Sequence, residues 1–197
     1  AQGYKDIEDY TIILKFALKG YKNKFLLVWT TTPWTLISNV ACAINKNATY
    51  VWVNYKGELL LMDENLVEKV FDFTNDYEIS EKVKGKYLLG EKYQPVYDYT
   101  EGDINAFKII HGDYVSAEEG TGIVHIAPAF GEDDMVVGKQ NKLPVVQMVD
   151  EEGYFKQNVD KFAGMSINDA NSEIIKDLKE RNLPVSYTHL TLPTIYS

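Results

Sequence analysis

Four threonine hydroxyls lie close together in Trp29-Thr30-Thr31-Thr32-Pro33-Trp34-Thr35, and Asn39 follows shortly after. A threonine hydroxyl is a weak nucleophile without a neighbouring base, but it holds water and small polar ligands well. The stretch therefore reads as a binding ledge that positions water. A blander reading assigns the threonines to strand propensity and helix capping. That accounts for Thr32 and Thr30 but not for all four with two tryptophans and Asn39.

A second group lies in Gly120-Thr121-Gly122-Ile123-Val124-His125-Ile126-Ala127-Pro128-Ala129-Phe130-Gly131-Glu132-Asp133-Asp134. His125 falls on an expected strand, 122–127, and Asp134 in the first turn of an expected helix, 131–140. A strand, a tight corner and a helix start can bring the two to one mouth, and carboxylates suit a helix N-terminus. The alternatives are a hydrogen-bonded core histidine and ordinary capping acids. A metal site would need His111 or remote carboxylates as further ligands, so none is expected. No G-x-S-x-G elbow, P-loop or dinucleotide fingerprint occurs, and Gly120-Thr121-Gly122 is too short to signal phosphate binding.

Several elements must position these groups. Apolar and β-branched runs predict strands at 10–18 and 24–30, joined as a hairpin by a turn at 20–23. Thr32-Pro33 predicts a short helical start with Thr32 as N-cap. Further strands are expected at 40–45, 49–55 and 58–62. A short helix capped by Asp63 follows, running to Phe71 with Leu66, Val67, Val70 and Phe71 on one side. Residues 76–116 alternate short β-type pieces (77–79, 86–89, 107–110) with Gly, Pro, Asp and Asn, which predicts a meander with long loops. Tyr87, Tyr93, Tyr97 and Tyr99 read as packing and loop-anchoring residues. Another strand is expected at 144–149, then a helix capped by Ser166 with Ile167, Ala170, Ile174 and Leu178 on one stripe. Residues 186–197 carry no charge and no clear period. They resemble a vector-derived tail and are set apart, with His189, from a domain spanning 1–185.

Composition narrows the class. The 197 residues suffice for one domain with a core, and 45% hydrophobic with 25% charged residues is ordinary for a globular protein. The start at Ala1, without Met, fits a fragment of a longer protein. No apolar run is long enough to span a bilayer. The one cysteine, Cys42, permits no internal disulfide and reads as a buried, inert thiol in a reducing compartment. A net charge of −9 excludes broad gripping of a nucleic-acid backbone, which needs Lys and Arg. Any such partner is held at a short end.

Together the two stretches carry a resemblance. WTTTPWTL followed by Asn39, and GTGIVHIAPAFGEDD with its His and Asp at the same separation, resemble the motifs of the editing (CP1) domain inserted into isoleucyl-tRNA synthetases, which are class I enzymes. The valine and leucine enzymes carry threonine-rich motifs too, typically with Arg-Pro where this chain has Thr32-Pro33. Ile37 stands where a proline is common. The resemblance spans residues 1 to about 184, most firmly 25–55 and 120–150. It implies a β-rich mixed α/β fold, barrel-like, with peripheral helices.

The resemblance also implies an activity. Valine and isoleucine differ by one methylene, which a binding pocket separates by only about 1–3 kcal/mol, a limit often illustrated with this very family. A second, smaller site hydrolyses the ester of mischarged valyl-tRNA(Ile), with valyl-adenylate as a further substrate. On this resemblance Asp134 holds the α-ammonium, and His125 lines the side-chain pocket and excludes isoleucine. Thr31, Thr32 and Thr35 position the water and the ester. Thr30 and Asn39 shape the site and hold the terminal adenosine, whose hydroxyl assists the reaction, and Trp34 is a wall. Thr31, Thr32 and Asp134 are thus the expected catalytic group. No cofactor or metal is expected in this domain, since ATP and Mg serve the parent enzyme's synthetic site. The implied partners are the 3′ end of tRNA(Ile), the valine moiety and the rest of the synthetase in cis, in the cytoplasm and without a membrane. A non-catalytic amino-acid-binding module and an editing hydrolase of different specificity remain as alternatives.

Overall fold

The apolar alternation over residues 10–18 is the inner part of a longer strand, β1 (Gly3–Ala17), in a computed structural model that describes residues 3–196. The turn after it reverses the chain into β2 (Lys24–Thr30), antiparallel to β1, with Ile12 opposite Thr30 and Ala17 opposite Phe25. Successive strand residues point to opposite faces, so the hairpin feeds two cores. Ile12, Leu14, Phe16, Leu26 and Val28 enter the main one. Ile13 and Leu27 enter a smaller cluster with Val51, Val53, Leu60 and Phe71.

The remaining strands are β3 (Ala41–Ile44), β4 (Thr49–Tyr55), β5 (Glu58–Asp63), β6 (Glu78–Lys84), β7 (Lys108–His111), β8 (Val124–Ile126) and β9 (Pro184–Tyr196). Among the described residues they form one nine-stranded sheet, β6-β4-β5-β2-β8-β3-β7, with β1 joined to β2 and β9 joined to β1. β2 is the fork. It pairs with β1 through residues 25–30, runs parallel to β5 through 24–26, and meets β8 at Trp29 opposite Val124. Dividing one strand among three partners splays the sheet, which curls into a half-barrel. The mixed, β-rich, barrel-like class expected from the sequence is what forms.

Among the described residues, three α-helices lie at the periphery: α1 (Val67–Val70), α2 (Glu132–Gln140) and α3 (Ile167–Glu180). Asp63 accepts the Asn65 N–H at 2.8 Å and starts the turn that leads into α1, and Leu66, Val67, Val70 and Phe71 are buried beneath the smaller cluster. Ser166 caps α3 by accepting the Asp169 N–H at 3.1 Å, and Ala170, Ile174 and Leu178 are fully buried. Each large apolar side chain so buried contributes about 1.5–3 kcal/mol. Truncating Leu26, which has no exposed surface, to Ala would cost about 2–5 kcal/mol.

The structure differs from the sequence reading in several places. Residues 86–89 are not a strand. Gly85–Tyr87 is a 3-10 turn, because the Gly85 backbone is pressed against Asn45 and donates to the Ala48 carbonyl. Residues 144–149 form no strand; Val149 alone makes an isolated antiparallel bridge, to Phe155. Pro144 lacks a donor, and the segment contributes Val146 and Met148 to the main core without entering the sheet. β8 is shorter than 122–127, since Gly122 adopts a positive φ against Asp63. Residues 186–196, set apart as a tail, pair antiparallel with β1 as most of β9, and His189 stacks on Tyr10 at 4.5 Å. An exposed strand edge accepts any extended segment of suitable length, so this pairing satisfies the β1 edge whatever the segment's origin.

Candidate functional site

The end of β2, the start of the following 3-10 turn, β8 and the start of α2 converge on one cleft of about 190 Å³. Trp29, Thr30, Thr31, Thr32 and Thr35 line one side. Val124, His125 and Ala127 line the floor, and Phe130 and Asp134 close the far side. The threonine stretch and the His–Asp stretch, far apart in sequence, thus share one site. They meet because β8 inserts between β2 and β3, with Trp29 opposite Val124 and Cys42 opposite His125.

The threonine ledge is built by Pro33, which starts the 3-10 turn Pro33–Ser38 with Thr32 in the N-cap position. The Thr32 side chain does not cap the turn. Its Oγ1 lies 2.8 Å from Thr35 Oγ1, while Thr35 Oγ1 donates to the Thr32 carbonyl at 2.8 Å. Thr30 Oγ1 accepts the Thr32 N–H at 3.1 Å. Thr30 and Thr35 are buried, whereas Thr31 and Thr32 are exposed at the mouth.

His125 is 8% exposed, and both ring nitrogens are engaged: Nε2 with Thr35 Oγ1 at 2.9 Å and Nδ1 with Asn39 Nδ2 at 2.8 Å. The Asn39 carboxamide decides the proton positions. The Ala41 carbonyl accepts from its Nδ2 at 2.9 Å and the Tyr93 hydroxyl donates to its Oδ1, so the amide end of Asn39 faces both Ala41 and His125. Nδ1 is therefore the acceptor and Nε2 carries the proton. Burial lowers the His125 pKa to about 4, so the neutral ring persists at physiological pH.

The hydroxyl accounting follows. Thr35 Oγ1 receives the His125 Nε2–H, gives its own proton to the Thr32 carbonyl, and accepts the Thr32 hydroxyl proton. Its hydrogen-bonding capacity is filled. Thr32 Oγ1 has given up its proton to that bond and keeps lone pairs for a ligand, at an exposed position.

Asp134 stands in the first turn of α2, half-buried. Its Oδ2 accepts the Ala127 N–H at 2.9 Å. Burial raises its pKa; the Ala127 N–H offsets part of this and the neighbouring Asp133 adds to it. A partly desolvated carboxylate at a cleft suits a small cation such as an ammonium. Among the described residues, no group of three or more His, Cys, Asp or Glu side chains is arranged to hold a metal.

Two residues singled out in the sequence do not line the cleft. Asn39 sits behind His125, 4% exposed, with both Nδ2 hydrogens used and Oδ1 accepting the Tyr93 hydroxyl at 2.5 Å. Trp34 packs edge-on against Phe130 at 4.7 Å, and its backbone N–H donates to Asn171 Oδ1 of α3 at 3.1 Å. The sequence marks Tyr93 only as a packing and loop-anchoring residue and Trp29 only as part of the frame around the threonines, and it gives Phe130 no role. No local pattern marks Tyr93, which reaches the site across 54 positions of sequence. Gly120 serves packing: at φ +75°, a Cβ there would lie 2.9 Å from the Trp29 ring.

No protein-family model matches the chain. Curated isoleucine–tRNA ligases do. That of Clostridium tetani is 46% identical over 183 residues, 93% of this chain and 18% of the relative. That of Picrophilus torridus is 40% identical over 183 residues, with the same coverage. Two solved folds match as well: the crystal structure of GlLeuRS-CP1 (TM-score 0.74, 15% identity, 91% of this chain and 99% of that one) and the Plasmodium falciparum cytosolic leucyl-tRNA synthetase editing domain (TM-score 0.67, 12% identity, 91% and 99%). The chain matches one segment of isoleucine–tRNA ligases and has the fold of the leucyl-tRNA synthetase CP1 editing domains. It spans 17–18% of the length of the curated relatives it matches. Among the described residues, no helix is long and apolar enough to cross a membrane.

Proposed function

We propose that this editing-domain segment hydrolyses the ester of valyl-tRNA(Ile), with valyl-adenylate as a second substrate, as the proofreading site of an isoleucine–tRNA ligase acting in the cytoplasm. The observation that carries the reading is the meeting of the threonine ledge, His125 and Asp134 in one cleft of about 190 Å³.

In this reading Asp134 Oδ1 binds the α-ammonium, while Oδ2 stays tied to the Ala127 N–H. The valine side chain packs toward His125, Val124 and Ala127. The imidazole, held from both sides, is a rigid wall against one more methylene, a difference worth about 1–3 kcal/mol. Thr32 Oγ1, free to accept, holds the attacking water, and Thr31 contacts the ester from the exposed rim. Thr35 and Asn39 keep His125 in place and do not touch the substrate. Both His125 nitrogens are occupied, so the imidazole is not the base. The water's proton passes to solvent or to the vicinal hydroxyl of the terminal adenosine, and the departing ribose oxygen is protonated in turn. The chemistry needs neither a metal nor a cofactor; ATP and Mg belong to the synthetic site elsewhere in the parent enzyme.

The net charge of −9 supports a division of labour in which the rest of the synthetase, in cis, grips the tRNA and this domain receives only its 3′ end. The test is deacylation of valyl-tRNA(Ile) by the full-length enzyme carrying Asp134→Ala. Undiminished hydrolysis would remove Asp134 from the mechanism. A panel of valyl, threonyl and alanyl esters separates this specificity from another editing activity, and absence of all hydrolysis would leave a binding module.

A further inference from the structure

The hydrogen-bond chain behind the cleft does not end at Asn39. Tyr93, 1% exposed, comes from the segment between the 3-10 turn at 85–87 and β7, and lies between Phe16 and Phe107 in the main core. Its backbone is fixed independently by a hydrogen bond from its N–H to the Phe107 carbonyl at 3.0 Å. A packing role would be met by phenylalanine. The hydroxyl instead donates to Asn39 Oδ1. Burial strongly raises the phenol pKa, so the donor proton is always present.

We propose that Tyr93 is a positioning residue for the editing reaction: acting through Asn39, it holds His125 in the neutral Nε2–H tautomer and thereby sets the direction of the hydroxyl bonds in the threonine ledge. The catalytic half of this inference rests on the hydrolytic reading above. With Tyr93 donating to Oδ1 and the Ala41 carbonyl accepting from Nδ2, the Asn39 carboxamide has one orientation. It then offers only a donor to Nδ1, and Nε2–H points to Thr35 Oγ1. Without the phenol, Oδ1 is a buried acceptor left unsatisfied. A turned carboxamide that accepts from Nδ1–H then competes. In that state Nε2 accepts from Thr35, the Thr35 proton leaves the Thr32 carbonyl, and the Thr32 hydroxyl no longer presents the same lone pairs to the cleft.

The experiment is nitrogen-15 NMR of the uniformly labelled chain, reading its three histidines and the Asn39 carboxamide, alongside valyl-tRNA(Ile) deacylation by the full-length enzyme, for wild type and Tyr93→Phe. The wild type should show His125 with Nδ1 unprotonated and Nε2 protonated, and a through-hydrogen-bond coupling between Asn39 Nδ2 and His125 Nδ1. The substitution should mix the tautomers and lower kcat about tenfold with KM little changed, as expected when a buried acceptor loses its partner. A wild-type Nδ1–H tautomer or an absent coupling overturns the proposal even if the variant does not fold. So does a variant with an unmixed tautomer, or with mixed tautomers and unchanged hydrolysis. A wild-type enzyme that hydrolyses no valyl ester overturns the functional reading, while the tautomer is judged by the spectra alone.

Discussion

Asn39 donates from Nδ2 to Nδ1 of His125 at 2.8 Å, and this contact makes the histidine a fixed neutral wall. Protonating Nδ1 would set donor against donor. Burial alone lowers the pKa to about 4. The folded-state pKa lies below the unfolded value of about 6.5, so this contribution to stability is full above that value and is lost as pH falls toward 4, by about 3 kcal/mol in all. Denaturant midpoints measured against pH should fall more steeply for wild type than for His125→Gln over that window. Parallel curves would contradict the depressed pKa.

Hydrolysis should show no inflection from imidazole near its ordinary pKa, because His125 is neutral on both sides of it. The acid limb of kcat/KM belongs instead to Asp134. Burial raises its pKa in the free enzyme, so the carboxylate proposed to anchor the ammonium should be lost, as pH falls, above the usual aspartate range. Asp134→Asn should lower kcat/KM about 10- to 100-fold, the worth of a charged hydrogen bond, and abolish that limb. A pH–rate profile of the two enzymes checks both.

Thr32 and Thr35 should separate activity from stability. Thr35 is buried and its hydroxyl is fully used, so Thr35→Val leaves the His125 Nε2–H unpaired and costs about 1–3 kcal/mol. Thr32 is exposed, so Thr32→Val should change stability by no more than about 0.5 kcal/mol while slowing hydrolysis. Thr32→Ser should restore the rate. Urea melts and single-turnover deacylation distinguish the two positions.

Removing the imidazole should open the pocket to a larger side chain. His125→Ala is expected to expose isoleucyl-tRNA(Ile) to hydrolysis and erode a discrimination of about 10- to 200-fold, the range one methylene supports. If isoleucyl-tRNA(Ile) stays protected, His125 is not the size gate.

Much of this arrangement was legible in the sequence because its signals are local. The β1–β2 hairpin, the Asp63 and Ser166 caps and the Pro33 turn each follow from neighbouring residues, and all appear where they were expected. Thr30 to Thr35, His125 and Asp134 were legible as a candidate site because their types are unusual in clusters, and most of them line one cleft. What depends on long-range pairing was not legible. The fork at β2, the insertion of β8 beside Trp29, and the joining of Tyr93 to Asn39 are set by sheet order, which no local pattern encodes. The same limit explains residues 144–149, whose strand-like run packs into the core without finding a partner strand.

The central claim is that the cleft discriminates by hydrolysing a valyl ester anchored on Asp134. The direct measurement is the deacylation rate of valyl-tRNA(Ile) and isoleucyl-tRNA(Ile) by the full-length enzyme, wild type and Asp134→Ala side by side. Wild type should lose the valyl ester fast and protect the isoleucyl ester, with valyl hydrolysis severely reduced by the substitution. Equal hydrolysis of both esters, or undiminished valyl hydrolysis by Asp134→Ala, would contradict it.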